Sequence, residues 1–194
     1  MGLADAFGLE TFHLVGHDWG ATVAWATAAS FAHRLRTLTA VSVPHPAAYG
    51  LALREEPDQQ RRSAYIKALR SADAARRLSA AGAAGLRAMF GMELDAHRVD
   101  TYVRHLTEPG ALDAVLGWYR CMRADFSRLP VVVPTTLVWS DNDRFVGRAA
   151  AEGCGRFVHT SYRFVKLTDA THWNPEERPE DLVLEITNQF GRSS

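Results

Sequence analysis

Cysteine is scarce in this chain: Cys121 and Cys154 are the only two in 194 residues, and they form no Cys-x-x-Cys spacing. That argues against a disulfide framework or a thiolate metal knuckle and leaves two reduced thiols. An excess of charge is absent as well. With 22 basic and 22 acidic residues, no net field draws the chain to nucleic acid or to an anionic membrane. No apolar run approaches the ~18 residues needed to span a bilayer. The start, Met1-Gly2-Leu3-Ala4-Asp5-Ala6, has no basic segment of a secretory signal, and Ala6 breaks the myristoylation pattern. A cytoplasmic location is expected. Histidines are present, but no His-Glu-x-x-His pattern is, so neither a metal nor a cofactor is expected.

What is there is a 47% hydrophobic chain, enough for one core with an inserted subdomain. Thr11 to Gly16 reads as a buried strand, Trp19 to Ala32 as a helix and Leu35 to Val43 as a second strand. Pro44-His45-Pro46 stops that strand, because proline donates nothing to a ladder. The texture from Ala47 to Arg128 is Ala-, Arg- and Leu-rich with helical periodicity, broken at Gly82, Gly91 and Pro109-Gly110. Strands return at Thr135 to Trp139 and Tyr162 to Leu167, around a short helix at Arg148 to Gly153. A closing helix runs from Pro179 to about Phe190, its apolar positions being Leu182, the less regularly spaced Leu184, Ile186 and Phe190. Alternating strands and helices predict an α/β fold with about four parallel strands and right-handed crossovers. The expected organisation is a first core part at 1–46, an all-helical lid at 47–128, and a second core part at 129–194.

The most informative segment is Leu14-Val15-Gly16-His17-Asp18-Trp19-Gly20. An apolar strand ends in a Gly-x-Asp-x-Gly turn and runs into a helix, the layout of a nucleophile elbow with aspartate in place of serine. Small residues on either side suit a sharp, strained turn. Alone, the turn reads equally well as an acidic cap. Two later loops add weight. Trp139-Ser140-Asp141-Asn142-Asp143 places carboxylates at the carboxyl end of a strand, where open α/β sheets keep their sites. Thr171-His172-Trp173-Asn174-Pro175-Glu176-Glu177 places a histidine after the final strand. Nucleophile, acid, histidine is the chain order described for α/β-hydrolases.

With these segments in view the chain resembles the α/β-hydrolase family, in its epoxide hydrolase-like branch. A further match is Gly117-Trp118-Tyr119-Arg120, close to an Asn-Trp-Tyr-Arg pattern of epoxide hydrolase lids. The resemblance implies that Asp18 attacks a carbon of a small, apolar epoxide-type substrate and forms an ester. His172, oriented by Asp143, then activates the water that hydrolyses it. The backbone N–H of Trp19 is expected to bind the oxyanion. The Trp-x-x-x-Asp spacing favours Asp143 over Asp141 as the acid, and Asp169 reads as a turn former. Tyr119 is implied as a lid acid for the departing alkoxide. The second lid tyrosine aligns with Ala68, so Tyr65, three residues earlier on a helical face, is the candidate. His17 reads as a packing and hydrogen-bonding neighbour of the elbow.

In the resembled family four strands and a His-Gly-x-Pro loop precede the elbow, whereas only Met1 to Glu10 precede it here. The expectation is therefore a partial α/β-hydrolase fold in which the elbow strand forms an apolar sheet edge. Such an edge invites a complementary N-terminal polypeptide or self-association. Two alternatives stand beside the epoxide hydrolase. One is a haloalkane dehalogenase-like enzyme, with Trp19 holding the halide. The other is a truncated, non-catalytic remnant that serves only as an interaction surface.

Overall fold

The computed structural model describes residues 1–121 and 130–191. They divide between two compact units, one formed by 1–62 with 130–191 and the other by 63–121. The expected lid boundaries at 46 and 128 differ from this division. Residues 46–62 pack with the sheet-bearing unit, and Arg128 lies outside the described residues.

In the sheet-bearing unit a short helix, α1 (Gly2–Ala6), precedes β1 (Phe12–His17), α2 (Trp19–Ser30) and β2 (Leu35–Val41). Then come α3 (Pro46–Glu55) and α4 (Pro57–Arg62). All strands are parallel and lie in the order β1-β2-β3-β4, with β3 at Thr135–Ser140 and β4 at Tyr162–Leu167. The register aligns His17, Val41, Val138 and Val165 across the sheet, which brings the carboxyl ends of the strands level. Among the described residues β1 is an edge of the sheet.

Burial explains the order. Every residue of β3 is buried, and in β2 only Arg36 is exposed, the pattern of strands covered on both faces. Adjacent strand residues point to opposite faces, so Ala40 and Leu137 enter one core cluster while Val41 and Val138 enter another. The first cluster is covered by Ala21, Ala24, Trp25 and Ala28 of α2, whose spacing makes one helical stripe. Its small side chains let the helix axis approach the sheet. Trp25 Nε1 donates to the carbonyl of Val43 at 3.0 Å, which fastens that helix beyond the end of β2. His45 is buried in the same region and caps α3 by accepting from Ala47 N–H, so the Pro44-His45-Pro46 segment has a structural part.

The second cluster lies under α11 (Pro179–Phe190), and here the expected stripe needs correcting. Leu184 is exposed, and the buried face is Leu182, Glu185 and Gln189. The polar members are satisfied. Glu185 pairs with Arg163, and Gln189 accepts from Thr136 Oγ1 at 2.7 Å and donates to the Pro134 carbonyl at 2.9 Å. Apolar spacing alone does not reveal such a face, because its polar residues are paired rather than solvated.

The second unit holds four helices: α5 (Ala64–Leu69), α6 (Ala74–Phe90), α7 (Ala96–Leu106) and α8 (Ala111–Cys121). The expected break at Gly82 is real. Residues 80–83 leave helical geometry, with positive φ at Ala81, Gly82 and Ala83. Leu86, Phe90, Val99, Val103, Leu112 and Leu116 are among the unit's buried apolar residues and lie along three helices. Within it the rings of Tyr65 and Tyr119 meet edge to face, with centroids 6.2 Å apart.

Candidate active site

β1 ends at His17, and the chain turns at Asp18 with φ 52° and ψ −122°, a conformation that non-glycine residues rarely adopt. The turn is feasible because of Gly16. A Cβ there would lie 2.3 Å from the carbonyl oxygen of Gly20 and 2.8 Å from the nitrogen of Ala21. Gly20 is different, since a Cβ on it would meet nothing within 4 Å. The expectation that both flanking glycines are sterically required therefore holds for one of them.

The strained turn lifts the Asp18 carboxylate to His172. Asp18 Oδ2 lies 2.8 Å from His172 Nε2, and His172 Nδ1 lies 2.9 Å from Asp143 Oδ2. The remaining oxygen of Asp143 accepts the backbone N–H groups of Phe145 and Val146 at 2.8 and 2.9 Å. Asp143 is fully buried, and His172 is 1% exposed. Asp141 instead accepts the N–H of Asp169 at 2.9 Å, closing a turn in which Asp169 has a positive φ. Of the two candidate acids, Asp143 is the one that reaches the histidine.

Electrostatics follow from this bridge. Burial pushes the His172 imidazole down, but the Asp143 and Asp18 carboxylates outweigh it and lift the group to about 10. Burial pushes the Asp18 carboxyl up. The hydrogen bond and charge of His172, with the N–H of Trp19, more than offset that, and the net displacement is downward. The Trp19 amide thus points at the Asp18 carboxylate itself. His17 is lowered, first by burial and then by the neighbouring His172 charge, so its ring favours the neutral form. Its Nε2 donates to the carbonyl of His172 at 2.9 Å, the neighbourly part read from the sequence.

Several supporting residues carry no sequence signal. Gln59 of α4 is buried and bridges the acid loop, donating to the Phe145 carbonyl at 2.9 Å and accepting from Gly147 N–H at 2.8 Å. Arg62, the last residue of that helix, donates to the carbonyl of Asp143 and pairs with Asp58. Ser42 and Asn174 are buried beneath the histidine loop. A polar residue many positions from its partner leaves no periodic trace; only an unusual Asn or Gln in an apolar stretch hints at it.

Other expectations are quickly placed. His13 hydrogen-bonds Thr37 and packs on Phe190, and no group of metal-ligating side chains occurs among the described residues. Both cysteines are free thiols, Cys154 buried and Cys121 exposed. Burial raises the Cys154 thiol to about 11, so it is not a reactive thiolate. No helix among the described residues is long and apolar enough to cross a membrane. Tyr65 and Tyr119 are brought together in the helical unit.

Residues 2–186 match the alpha/beta hydrolase family. The chain is similar to epoxide hydrolase 4 of Homo sapiens, 26% identical over 97% of this chain and 55% of that protein. It is also similar to the AB hydrolase superfamily protein YfhM of Bacillus subtilis, 31% identical over 97% of this chain and 70% of the relative. The chain therefore spans little more than half the length of the human relative. A crystal structure of the Bacillus megaterium epoxide hydrolase with an inhibitor superposes with a TM-score of 0.86 at 22% identity, covering 98% of this chain and 72% of that one. That likeness is one of fold. With the family match spanning nearly the whole sequence and an Asp–His–Asp relay at the carboxyl ends of parallel strands, this chain belongs to the alpha/beta hydrolase family.

Proposed function

We propose that this chain carries the working site of an epoxide hydrolase that acts through an aspartyl ester. The observation that carries the reading is His172 bridging Asp18 and Asp143 with both ring nitrogens. A carboxylate held ionised can attack saturated carbon, which a neutral serine hydroxyl does poorly. In the first step an oxygen of Asp18 bonds to an epoxide carbon and the ring C–O bond breaks. The alkoxide takes a proton from a phenol, the part proposed for Tyr119 with Tyr65. Support for that assignment comes from the lid pattern at 117–120 and the contact between the two rings.

Ester formation changes the histidine. Asp18 loses its charge, so His172 keeps only one of the two carboxylates that raise it, and its proton becomes easier to give up. The neutral ring then removes a proton from water, whose oxygen attacks the carbonyl carbon of the ester. Charge develops on the ester carbonyl oxygen of Asp18, and the neighbouring Trp19 N–H is the group proposed to bind it. Collapse breaks the ester C–O bond: the departing oxygen takes the proton held by His172 and leaves as the diol, and the remaining carboxylic proton of Asp18 passes through solvent to restore the phenol. The relatives named epoxide hydrolase favour this chemistry over halide displacement.

A docking requirement accompanies the reading. β1 is an edge among the described residues, and Val15, Val23 and Phe31 on or beside it are 41%, 46% and 42% exposed. We propose that this edge pairs with a complementary polypeptide segment, or with a second copy of the chain, and that turnover needs that pairing.

The test is to trap the ester. His172→Gln is incubated with styrene oxide, and the peptide containing Asp18 is weighed by mass spectrometry, with and without a separately expressed hydrolase segment carrying the strands that precede an elbow. A covalent adduct on Asp18, absent in Asp18→Asn, is the expected result. Diol formation that survives Asp18→Asn would overturn the reading. Bromide release from bromoalkanes without diol from epoxides would reassign the site to dehalogenation. No product and no adduct under either condition would leave only a non-catalytic remnant.

A further inference from the structure

Two strand ends meet at the main-chain carbonyl of His172, and a third joins them through the Asn174 side chain. Its carbonyl oxygen accepts from His17 Nε2 at 2.9 Å and from Ser42 Oγ at 3.3 Å. His17 closes β1 immediately before Asp18, and Ser42 directly follows β2. Asn174, two residues after His172, reaches back with Nδ2 to Ser42 Oγ at 3.1 Å and to Ser140 Oγ, at the end of β3, at 2.9 Å.

Counting protons gives these bonds a direction. A serine hydroxyl has one proton. That of Ser42 goes to the His172 carbonyl, so Ser42 must accept from the Asn174 amide. The second amide proton goes to Ser140. The chain of donation therefore runs from Asn174 through Ser42 to His172, and it fixes which way the amide faces. Ser42, Ser140 and Asn174 are all fully buried, so water does not compete for any link.

Two local penalties accompany the arrangement. Ser42 has φ +66°, a region that glycine would occupy with less strain. Asn174 Oδ1 is buried without a partner. A junction that only needed filling would avoid both, with glycine at 42 and an apolar side chain at 174. Both polar groups are instead spent on the loop that carries the histidine. Proteins tolerate such local violations chiefly where a site needs them.

We propose that Asn174 and Ser42 are positioning residues: through the Ser42 hydroxyl they hold the main chain of His172 where its ring can span Asp143 and Asp18. The inference rests on the reading of that trio given above. The geometry leaves little slack, because the ring is bonded at 2.9 Å on one side and 2.8 Å on the other. A main-chain shift of a few tenths of an ångström swings the ring, and one bond lengthens as the other shortens. His17 supplies the second anchor and ties the histidine loop to the residue next to Asp18.

The experiment reads His172 directly and does not depend on turnover. The 194-residue chain is labelled with ¹⁵N-histidine, and the His172 ring is titrated by NMR in the native chain, in Asn174→Leu and in Ser42→Gly. Ser42→Gly is the safer variant for folding, since it deletes the hydroxyl while suiting the positive φ. Each substitution is expected to lower the proton affinity of His172 by about tenfold, with the fold retained in Ser42→Gly. A native-like His172 titration in folded Ser42→Gly would overturn the proposal, as would a loss of melting temperature in either variant without any change at the ring. Failure of the ester reading looks different: His172 titrates as expected in all three proteins while no adduct forms on Asp18.

Discussion

Gly16 and Gly20 approach so closely that a methyl group on the first would lie 2.3 Å from the carbonyl oxygen of the second. The contact is backbone on backbone, and no side-chain rotation relieves it. Gly16→Ala is therefore expected to destabilise the chain by more than about 4 kcal/mol, beyond the usual range of single substitutions. Gly20→Ala should behave in the opposite sense. Its Cβ meets open space within α2, and alanine gains about 0.5–1 kcal/mol over glycine in a helix. Urea unfolding of the two variants checks the pair.

Asp143→Asn should weaken the site without unfolding it. The side-chain oxygen can still accept from Phe145 and Val146, but its amide would face His172 Nδ1 with a proton and select the wrong tautomer. A fall of about 10⁴ in turnover is expected where the comparable triad change has been measured in a protease. Asp141→Asn, at a turn away from the ring, should leave turnover unchanged. Steady-state rates of the two variants separate the aspartates.

Removing the charge at position 18 should be visible at His172. In Asp18→Asn one of the two carboxylates that raise the imidazole is gone, so its NMR midpoint should fall from about 10 toward the ordinary 6.5. The sign for stability follows. A histidine whose folded value lies above its unfolded one stabilises the fold fully below 6.5, and that contribution fades as pH rises through about 10. Native chain should lose more stability than Asp18→Asn between those limits. An identical pH dependence of unfolding in both would refute the assignment.

Gln59 offers a test of the acid loop. Gln59→Leu keeps the bulk but removes both bonds to the loop, one to the part-buried Phe145 carbonyl and one from the buried Gly147 N–H. A loss of about 2–6 kcal/mol is expected, from about 1–3 kcal/mol for each of the two orphaned groups. Thermal unfolding measures it.

What could be read from the sequence was what is written locally. The elbow, the acid and the histidine each follow an apolar strand within a few residues, so short motifs located them, and the parallel order followed from the alternation of elements. Two kinds of feature escaped. The buried face of α11 contains Glu185 and Gln189, whose partners Arg163 and Thr136 lie far away in the chain, so apolar spacing does not reveal them. Gln59, Ser42 and Asn174 likewise act through distant partners. The limit of the helical unit is not written locally either: α3 and α4 look like the helices that follow them, and only their packing separates them.

That limit has an engineering consequence. The last residue before the helical unit, Arg62, holds the carbonyl of Asp143, and Gln59 one turn earlier braces the rest of the acid loop. A chimera that grafts a foreign helical cap after Pro46 would discard both hooks with the old cap and leave the acid loop unsupported. The seam for domain exchange lies after Arg62, so that recombination can vary the cap while the native braces of Asp143 stay with the core.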